Sequence, residues 1–446
     1  MTMDEQALID YVTRQRWFGA KSRTVSHSEV LDLVTIRQAE PQLSVALVEI
    51  RFDTGAHDIY QLLFSGSVDE PFDGLAEDAS IAREIVSAMR TGLTLQGSQG
   101  VAEFHPAEDF SALGRELGAA RLVSSEQSNS SVVFDDALIL KVFRHLEPGI
   151  NPELEMLRFL TDHGFRNVPA LGGWYGYSGG PMTATLGLLQ EYVAAAVGGW
   201  ELALGEIASA PESFLDRLGR LGEVTANMHT ALGADANDAA FAPEEPSVES
   251  LGLLTATVDE EIARVFLSLP EDEERLGPIL GRGEEVREQL RLLTHAGSSG
   301  RVIRTHGDYH LGQTLWQNSD WVILDFEGEP ARTLVERRRK RSPLRDVAGM
   351  LRSFAYAATT AEQTRGADVP HDWEERARER FLESYLETVD ATLLPPGEAA
   401  IERLLAVFEL EKAVYELQYE LDNRPDWVGI PVAGIERLMQ QAAEAL

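Results

Sequence analysis

The spacing of the apolar residues changes near residue 196, and this change limits the folds that the chain can adopt. Before it, runs such as LSVALVEIRF, IYQLLFSGSV and LILKVFR are separated by polar turns and are typical of β-strands. After the Gly- and Ala-rich link AAAVGGW, the segment PESFLDRLGRLGEVTANMHTAL carries apolar residues three and four apart, which predicts an amphipathic helix. A β-rich part, a short link and a helical part predict a bilobal α+β protein.

These changes in pattern divide the chain into three predicted domains. Residues 1–95 open with a helical stretch followed by strand-like runs, which indicates a small α+β domain. Residues 96–195 begin in the loop-like segment GSQGVAEFHPAEDF and continue with β-rich runs around one Pro-initiated helix, NPELEMLRFLTDHGF. Residues 196–446 are mainly helical. Several domains suit this length, since a single core usually stops growing at about 250–300 residues.

The chain is strongly acidic, with 39 Lys and Arg against 73 Asp and Glu and a formal net charge of −34. Nucleic acids and anionic membranes require clustered Lys and Arg, so neither is an expected partner. The only strongly basic run is VERRRKRSPLRD at 335–346, which is either a solvated loop tip or faces a phosphate or a partner.

Features that would place the chain in an oxidising compartment or a membrane are missing from the sequence. It contains no cysteine, which excludes disulfides and thiolate metal sites. No apolar run reaches the ~18 residues of a membrane span. The start, MTMDEQALID, has neither a basic region nor an apolar signal core, and a cytoplasmic location is expected.

The stretch HGDYHLGQTLWQNSDWVILDFE places two acidic residues on either side of a predicted hairpin. Asp308 lies in a polar, glycine-containing loop, whereas Asp325 follows the apolar run WVIL at the end of a strand. Phosphoryl transfer needs two carboxylates with different roles. One carboxylate accepts the proton of the substrate hydroxyl, and another holds magnesium beside an amide-bearing side chain. Gln313, five residues after Asp308, supplies the amide oxygen.

This stretch resembles the aminoglycoside-phosphotransferase-like small-molecule kinases, which share the protein-kinase fold. Their catalytic loop reads H-G-D with Asn five residues on, and their metal strand ends in an apolar-apolar-Asp pattern. The resemblance implies ATP and Mg²⁺ as cofactors, Asp308 as catalytic base, and Gln313 and Asp325 as metal ligands. Gln313 departs from the family's Asn, which leaves a carbonyl ligand on a longer arm. Glu327 is either a further ligand or lies just outside the ligand shell.

The same resemblance places the nucleotide-binding residues upstream. Lys141, the only lysine in the apolar run LILKVFR, matches the strand lysine that contacts the nucleotide phosphates. Two glutamates follow on the next helix, and Glu155 is preferred over Glu153 as the partner of this lysine. The loop SSEQSNSSVVF, with Ser128, stands in place of a glycine-rich phosphate loop and offers hydroxyl and amide groups instead. Backbone groups that would bind adenine belong to Gln190, Glu191, Tyr192 and Val193.

A more specific resemblance rests on three segments. QRWFGAKSR near the N-terminus, SPLRDVAGMLRSFAYAA after the metal strand and EKAVYELQYELDNRPDWVGIPVAGI near the C-terminus resemble the actinobacterial maltokinases, which are also found fused to trehalose synthase. The match covers all three predicted domains, including an N-terminal cap that most of the wider family lacks. It implies ATP-dependent phosphorylation of maltose at its anomeric hydroxyl to maltose 1-phosphate, which feeds α-glucan synthesis, and it makes trehalose synthase a candidate partner.

The acceptor sugar is predicted to contact the C-terminal segment. Two carboxylates repeat at i, i+4 on one side of a helix and two phenols on another, and a tryptophan follows the Pro that ends the helix. Carboxylates accept hydrogen bonds from sugar hydroxyls, and aromatic faces pack on the C–H surface of the ring. From the residues alone, tyrosines used for packing and glutamates on a solvated face are the alternative. The predicted substrate residues are His310, Tyr415, Glu416, Tyr419, Glu420 and Trp427.

Two other functions stay open at this point. Another sugar kinase of the same build, such as a glucosamine kinase, would close Glu416 and Glu420 on an ammonium group. A non-catalytic regulatory subunit of trehalose synthase is suggested by the glycine-free loop and by the Gln that replaces Asn. Retention of Lys141, Asp308 and Asp325 argues against this last function.

Overall fold

The computed structural model divides the chain into two compact units, Met1–Ala195 and Ala196–Leu446. The structure describes residues 5–39, 41–65, 73–108, 110–114, 116–123, 129–270, 272–294, 300–330 and 332–444. The division falls within the link AAAVGGW. A further domain boundary at residue 95 stays a prediction.

The described part of the first unit holds two antiparallel sheets with helices. The strands are β1 (Val25–Arg37), β2 (Leu43–Phe52), β3 (His57–Ser65), β4 (Thr94–Gln96), β5 (Gly100–Pro106), β6 (Ala120–Leu122), β7 (Asn129–Phe134), β8 (Leu138–Phe143), β9 (His145–Leu146), β10 (Leu171–Gly179) and β11 (Thr183–Glu191). The α-helices are α1 (Glu5–Arg14), α2 (Gly74–Glu77), α3 (Ala82–Thr91) and α4 (Pro152–Asp162). The strand orders are β1-β2-β3-β9 and β4-β5-β10-β11-β8-β7-β6.

Helix α1 covers one face of the first sheet because its apolar residues recur four apart. Leu8 and Val12 are buried, together with Trp17 and Phe18 of the QRWFGAKSR segment. Tyr60 of β3 packs against both aromatic rings. Burial of each large apolar side chain stabilises the fold by about 1.5–3 kcal/mol, so this segment forms part of the core.

Buried polar contacts join the two sheets of the first unit. The side-chain amide of Gln61 on β3 donates to the carbonyls of Phe143 at 2.9 Å and Leu186 at 2.7 Å. Arg144, the residue after β8, forms a buried ion pair with Asp73 at 2.5 Å. Removal of one partner from such a pair costs about 3–5 kcal/mol, so this pair holds Asp73, which bridges to Phe64 of β3, beside the end of the strand that carries the candidate lysine.

The described part of the second unit is mainly helical. Its α-helices are α5 (Gly199–Glu206), α6 (Pro211–Leu232), α7 (Val248–Leu267), α8 (Gly283–Thr294), α9 (Leu334–Arg337), α10 (Leu344–Arg365), α11 (Trp373–Thr388), α12 (Glu398–Asn423) and α13 (Gly429–Glu444). A small sheet of order β12-β13-β14 contains β12 (Val197–Gly198), β13 (Thr314–Gln317) and β14 (Asp320–Ile323). None of the helices that the structure describes combines the length and apolar character needed to span a bilayer.

The apolar stripes predicted from the sequence form the core of the second unit. Leu218 and Met228 of α6 are fully buried, and Leu410, Val414 and Leu417 of α12 are buried between helices α7, α8 and α13. The 3.6-residue period therefore identified which faces of these helices turn inward.

The predicted hairpin after the HGD loop is also present. Strand β13 pairs with β14, and Gln317 lies opposite Asp320. The two residues of the turn, Asn318 and Ser319, both have positive φ, at 51° and 64°. This is the type I′ geometry that suits the twist of a two-residue hairpin. The hairpin places Asp325 just beyond the end of β14.

Candidate active site

In the first unit, the candidate nucleotide-binding lysine pairs with a buried glutamate. The Nζ atom of Lys141 on β8 lies 2.6 Å from Oε1 of Glu153. Asn151 accepts a hydrogen bond from the backbone N–H of Glu153 at 2.8 Å and so caps α4. Because Glu153 lies in this first turn and faces the sheet, its carboxylate is held in place by the start of the helix.

The predicted pairing of Lys141 with Glu155 is wrong. Successive residues of an α-helix are rotated by about 100°, so residues two positions apart point in nearly opposite directions. Glu153 is 1% exposed, whereas Glu155 is only partly buried. The choice between Glu153 and Glu155 as the partner of Lys141 depended on which side of α4 packs against the sheet.

The remaining candidate nucleotide contacts are described only in part. Ser128 lies outside the described residues. Gln190 and Glu191 end β11, and the backbone amides of Glu191 and Tyr192 donate to Ala170 and Ala137 of the same unit. These bonds hold the link, and contact of Gln190, Glu191, Tyr192 and Val193 with adenine stays a prediction.

In the second unit, the HGD loop is held by the buried carboxylate of Asp346 in the first turn of α10. This carboxylate accepts hydrogen bonds from the backbone amides of His306 at 2.7 Å and Gly307 at 2.9 Å. It also contacts Nε2 of His229 on α6 at 3.2 Å. Gly307 has a φ of 87°, a conformation that favours glycine, which lets consecutive amides point at one carboxylate.

The charge of Asp346 is stabilised by its hydrogen-bond donors. Burial by itself raises the pKa of this carboxyl group, but the hydrogen bonds from His229 and from the backbone amide of Gly307 bring the pKa below its usual value. Asp346 therefore stays ionised at neutral pH and keeps both loop amides in place.

His306 connects the loop to the end of β14. Its Nδ1 accepts a hydrogen bond from the backbone amide of Asp308 at 3.3 Å, so the ring proton is carried on Nε2. Nε2 then donates to the carbonyl of Leu324 at 2.8 Å. Since Asp325 follows Leu324, one imidazole sets the spacing between the candidate base Asp308 and the candidate metal ligand.

Gln313 and Asp325 lie side by side and are joined by a hydrogen bond, and their roles as ligands of one cation stay a prediction. Nε2 of Gln313 is 3.1 Å from Oδ2 of Asp325. Amide and carboxylate oxygens are suitable donors for Mg²⁺, so the residues fit this ion in spite of the longer Gln arm. Asp325 has a φ of 62°, a conformation that is uncommon for residues with a side chain but that Asp adopts more readily than most. Glu327 follows two residues later and is half-buried.

His310 is neutral and lies close to the candidate base. Burial is the main cause that lowers the pKa of its imidazole, against the opposing charge of Asp308. The backbone amide of Gly312 donates to Nδ1 at 3.0 Å, which leaves the proton on Nε2 as a hydrogen-bond donor. A neutral donor at this position is suited to a sugar oxygen.

The two candidate acceptor glutamates of α12 are already paired with arginines. Glu416 accepts from Nη2 and Nε of the buried Arg352 at 2.6 and 3.0 Å. Oε1 of Glu420 accepts from Arg424 at 2.6 Å and from the hydroxyl of Tyr356 at 3.0 Å. Glu420 is only 1% exposed, so the alternative of a solvated glutamate face is wrong.

The candidate aromatic residues lie on the outer side of the same segment. Tyr415 is 57% exposed and Tyr419 is 44% exposed. The guanidinium of Arg424 lies 5.3 Å from the ring of Tyr419 and 5.4 Å from that of Trp427. Trp427 also stacks on Tyr356, with ring centroids 6.3 Å apart. One arginine therefore contacts the rings of both Tyr419 and Trp427.

Tyr415 lies within electrostatic reach of the catalytic loop. Its phenol pKa is raised, first by partial burial and then by the charges of Glu329 and Asp308, while Lys412 acts in the opposite direction. Lys412 lies 3.6 Å from Glu329. The charge of the candidate base is therefore felt at this exposed phenol of the same unit.

The models of two known protein families match the chain. The phosphotransferase enzyme family matches residues 119–328, a range that includes Lys141, Glu153, Asp308, Gln313 and Asp325. The maltokinase N-terminal cap domain matches residues 11–92. Residues 119–328 therefore match a phosphotransferase domain, preceded by a maltokinase-type N-terminal cap.

Relatives of the chain include kinases. It is 26% identical over 339 residues to a glucosamine kinase of Mycolicibacterium smegmatis (strain ATCC 700084 / mc(2)155), across 72% of this chain and 80% of the relative. A solved glucosamine kinase, in crystal form B, superposes with a TM-score of 0.73 at 22% identity, across 94% of this chain and 96% of the other. Another, in complex with glucosamine, ADP and inorganic phosphate, has a TM-score of 0.71 at 21% identity and covers 98% and 100%. The predicted kinase-like fold with an N-terminal α+β cap is confirmed.

The sequence patterns did not identify the residue that holds the candidate catalytic loop. Asp346, Met350 and Phe354 recur four apart on α10, and all are buried. A carboxylate on an otherwise apolar helix face is rarely buried without donors, and this anomaly was visible in the sequence. The sequence did not show that the donors are the backbone amides of Gly307 and His306, which lie 39 and 40 residues upstream.

Proposed function

We propose that this phosphotransferase is an ATP- and Mg²⁺-dependent sugar kinase that converts maltose to maltose 1-phosphate at the anomeric hydroxyl and so feeds α-glucan synthesis. The observation that supports it most is Asp308, held on a loop anchored by Asp346 and within electrostatic reach of the exposed phenol of Tyr415. This arrangement offers a base beside an open surface suited to a sugar.

In the proposed reaction, the anomeric oxygen of the sugar forms a bond to the γ-phosphorus of ATP while the bond from that phosphorus to ADP breaks. The proton of the hydroxyl passes to the carboxylate of Asp308. Magnesium, when bound, neutralises charge on the phosphates, and Gln313 and Asp325 would hold it, with Glu327 beside them. Lys141, oriented by Glu153, would contact the phosphates.

Electrostatics favour a neutral acceptor over an amino sugar. A sugar ammonium needs a carboxylate without another counter-charge, but Glu416 is paired with Arg352 and Glu420 with Arg424. The remaining lone pairs of the partly exposed Glu416 would still accept hydrogen bonds from hydroxyls, whereas Glu420, at 1% exposed, is closed to a sugar. His310, a neutral donor, would serve a sugar oxygen equally well, and the exposed tyrosine rings would pack on its C–H surface.

Glucosamine is the second candidate acceptor, because the relatives described above are named glucosamine kinases. Product identification separates the two. The enzyme is incubated with ATP, magnesium and either maltose, glucose or glucosamine, and products are identified by ³¹P nuclear magnetic resonance. We expect an anomeric phosphate with maltose, and product from glucosamine alone would refute the maltose assignment.

A role as a regulatory subunit of trehalose synthase makes the opposite prediction. Such a protein would release no ADP with any sugar, and the Asp308→Asn variant would behave like the wild type in every assay. ADP release with maltose that is lost in this variant excludes the non-catalytic role, while association with trehalose synthase is tested separately by sedimentation of the mixture.

A further inference from the structure

A cavity of about 370 Å³ lies in the second unit beside the basic run of 335–346. It is separate from the candidate catalytic and acceptor residues, none of which lines it. Its volume lies within the range of small-molecule sites, roughly 300–1,000 Å³. Five of its lining side chains are cationic, namely Arg332, Arg339, Lys340, Arg341 and Arg345.

The carboxylates near this cavity do not balance its positive charge. Glu411, one of the two that line it, is taken by Arg345 at 2.8 Å. The other, Glu336, accepts from the hydroxyl and backbone amide of Thr333 in a capping box. Within the described chain, neither Arg339 nor Arg341 forms an ion pair with a carboxylate.

Two other cations of the cavity have carboxylate partners outside its lining. Lys340 pairs with Glu244, and Arg332 pairs with Glu329. An excess of positive charge therefore persists here in a chain whose net charge is −34. Anionic ligands are repelled by most of such a surface and concentrated at a positive cavity.

Arg341 is the cation with the strongest need of an anion. Burial, followed by the charges of Arg345 and Arg332, lowers the pKa of its guanidinium to about 10, so it remains charged at neutral pH. Glu411 and Glu329 act in the opposite direction from a distance, but within the described residues the Arg341 guanidinium has no carboxylate as an ion-pair partner. The backbone of Arg341 pairs with Ile303 in both directions, which holds the residue at the cavity independently of its side chain.

The remaining wall of the cavity is apolar. Leu404 and Phe408 of α12 and Leu254 of α7 line it, and Leu253 is 68% exposed at its edge. Inorganic phosphate would use the cationic side alone, whereas an organic phosphate would also cover this surface. We propose that the cavity binds an organic phosphate of the size of a hexose monophosphate, with the phosphate toward Arg341 and Arg339 and the carbon skeleton toward α7 and α12. The inference does not depend on which sugar the enzyme phosphorylates.

Isothermal titration of the full-length protein with glucose 6-phosphate, inorganic phosphate and glucose tests the proposal. We expect saturable binding of glucose 6-phosphate, weaker binding of inorganic phosphate and none of glucose. Loss of one charge-assisted contact costs on the order of tenfold in affinity, so Arg341→Gln and Arg339→Gln should each weaken glucose 6-phosphate binding by about this factor. Arg264→Gln, on the outer side of α7 and 57% exposed, is the matched control and should leave it unchanged.

A further variant tests the apolar wall. Leu253→Gln should weaken glucose 6-phosphate several-fold and leave inorganic phosphate unaffected. Arg339 and Leu253 are exposed, so their variants should fold even if Arg341→Gln does not. Thermal unfolding of each variant shows whether it is folded. Absence of saturable binding to the wild type, or equal affinity in Arg339→Gln and the control, would overturn the proposal.

Discussion

The HGD loop and the outer face of α12 lie in the same unit but are stabilised in different ways. The loop is positioned from within, by backbone hydrogen bonds to a fully buried carboxylate and by an imidazole between Asp308 and Leu324. The tyrosines of α12 are exposed, and buried ion pairs such as Arg352 with Glu416 lie behind them. The candidate catalytic loop is thus attached to the core, whereas the exposed residues that would contact the sugar can be substituted without loss of the fold.

Substitution of the candidate base should give the largest effect and the clearest separation of chemistry from folding. Asp308→Asn should lower kcat by about 10²–10⁴-fold, because an amide cannot accept the hydroxyl proton. Its unfolding free energy should stay within about 0.5 kcal/mol of the wild type, since the residue is only half-buried. ADP release and urea unfolding measure both, and the exposed Asp216→Asn is the control. Turnover equal to the wild type would remove Asp308 from the mechanism.

Substitution of Asp346, which anchors the loop, should lower both the unfolding free energy and kcat. Asp346→Asn leaves two loop amides and His229 without a charged acceptor in the core, and we expect a loss of about 3 kcal/mol in unfolding free energy. kcat should also fall in the folded variant because Asp308 is no longer held in position. Urea unfolding and single-turnover kinetics test the two parts. An unchanged stability would show that the loop is held by other contacts.

The pH dependence of the unfolding free energy provides a second test of Asp346 as the anchor of the loop. The folded-state pKa of Asp346 lies below its unfolded value, so its contribution is fully present above the unfolded pKa and is lost as pH falls through the folded pKa. The stability difference between wild type and Asp346→Asn should therefore be constant from pH 7 to about 5 and shrink at lower pH. His229 and His306 lie near the same carboxylate and are present in both proteins. The test therefore uses the stability of the wild type minus that of the variant, rather than the stability of the wild type alone. A difference that does not change with pH would contradict the assignment.

The exposed face of α12 should give the smallest effect and one confined to binding. Tyr415→Ala removes an aromatic surface from the candidate acceptor site, so KM for maltose should rise on the order of tenfold while kcat and stability change little. Leu267→Ala, at an 89% exposed site on α7, is the control. Steady-state kinetics provide the measurement. An unchanged KM would favour the alternative in which the tyrosines have no contact with substrate.

Local sequence patterns predicted much of the fold and the order of the candidate site. The positive-φ turn of Asn318 and Ser319, the buried stripe of α12 and the HGD loop ahead of a strand-end Asp depend on residues within a few positions of one another. Hairpins and helix faces are set by such short-range periodicity, and the spacing from Asp308 to Gln313 is a property of one loop.

Only the tertiary structure decided which charges meet. Glu153 rather than Glu155 faces Lys141 because the packed side of α4 is set by the sheet beneath it. Asp346 receives the loop amides, and Arg352 neutralises Glu416 across 64 residues of sequence. A charged side chain can reach many partners in an unfolded chain, and burial leaves only the partner that compensates its lost hydration.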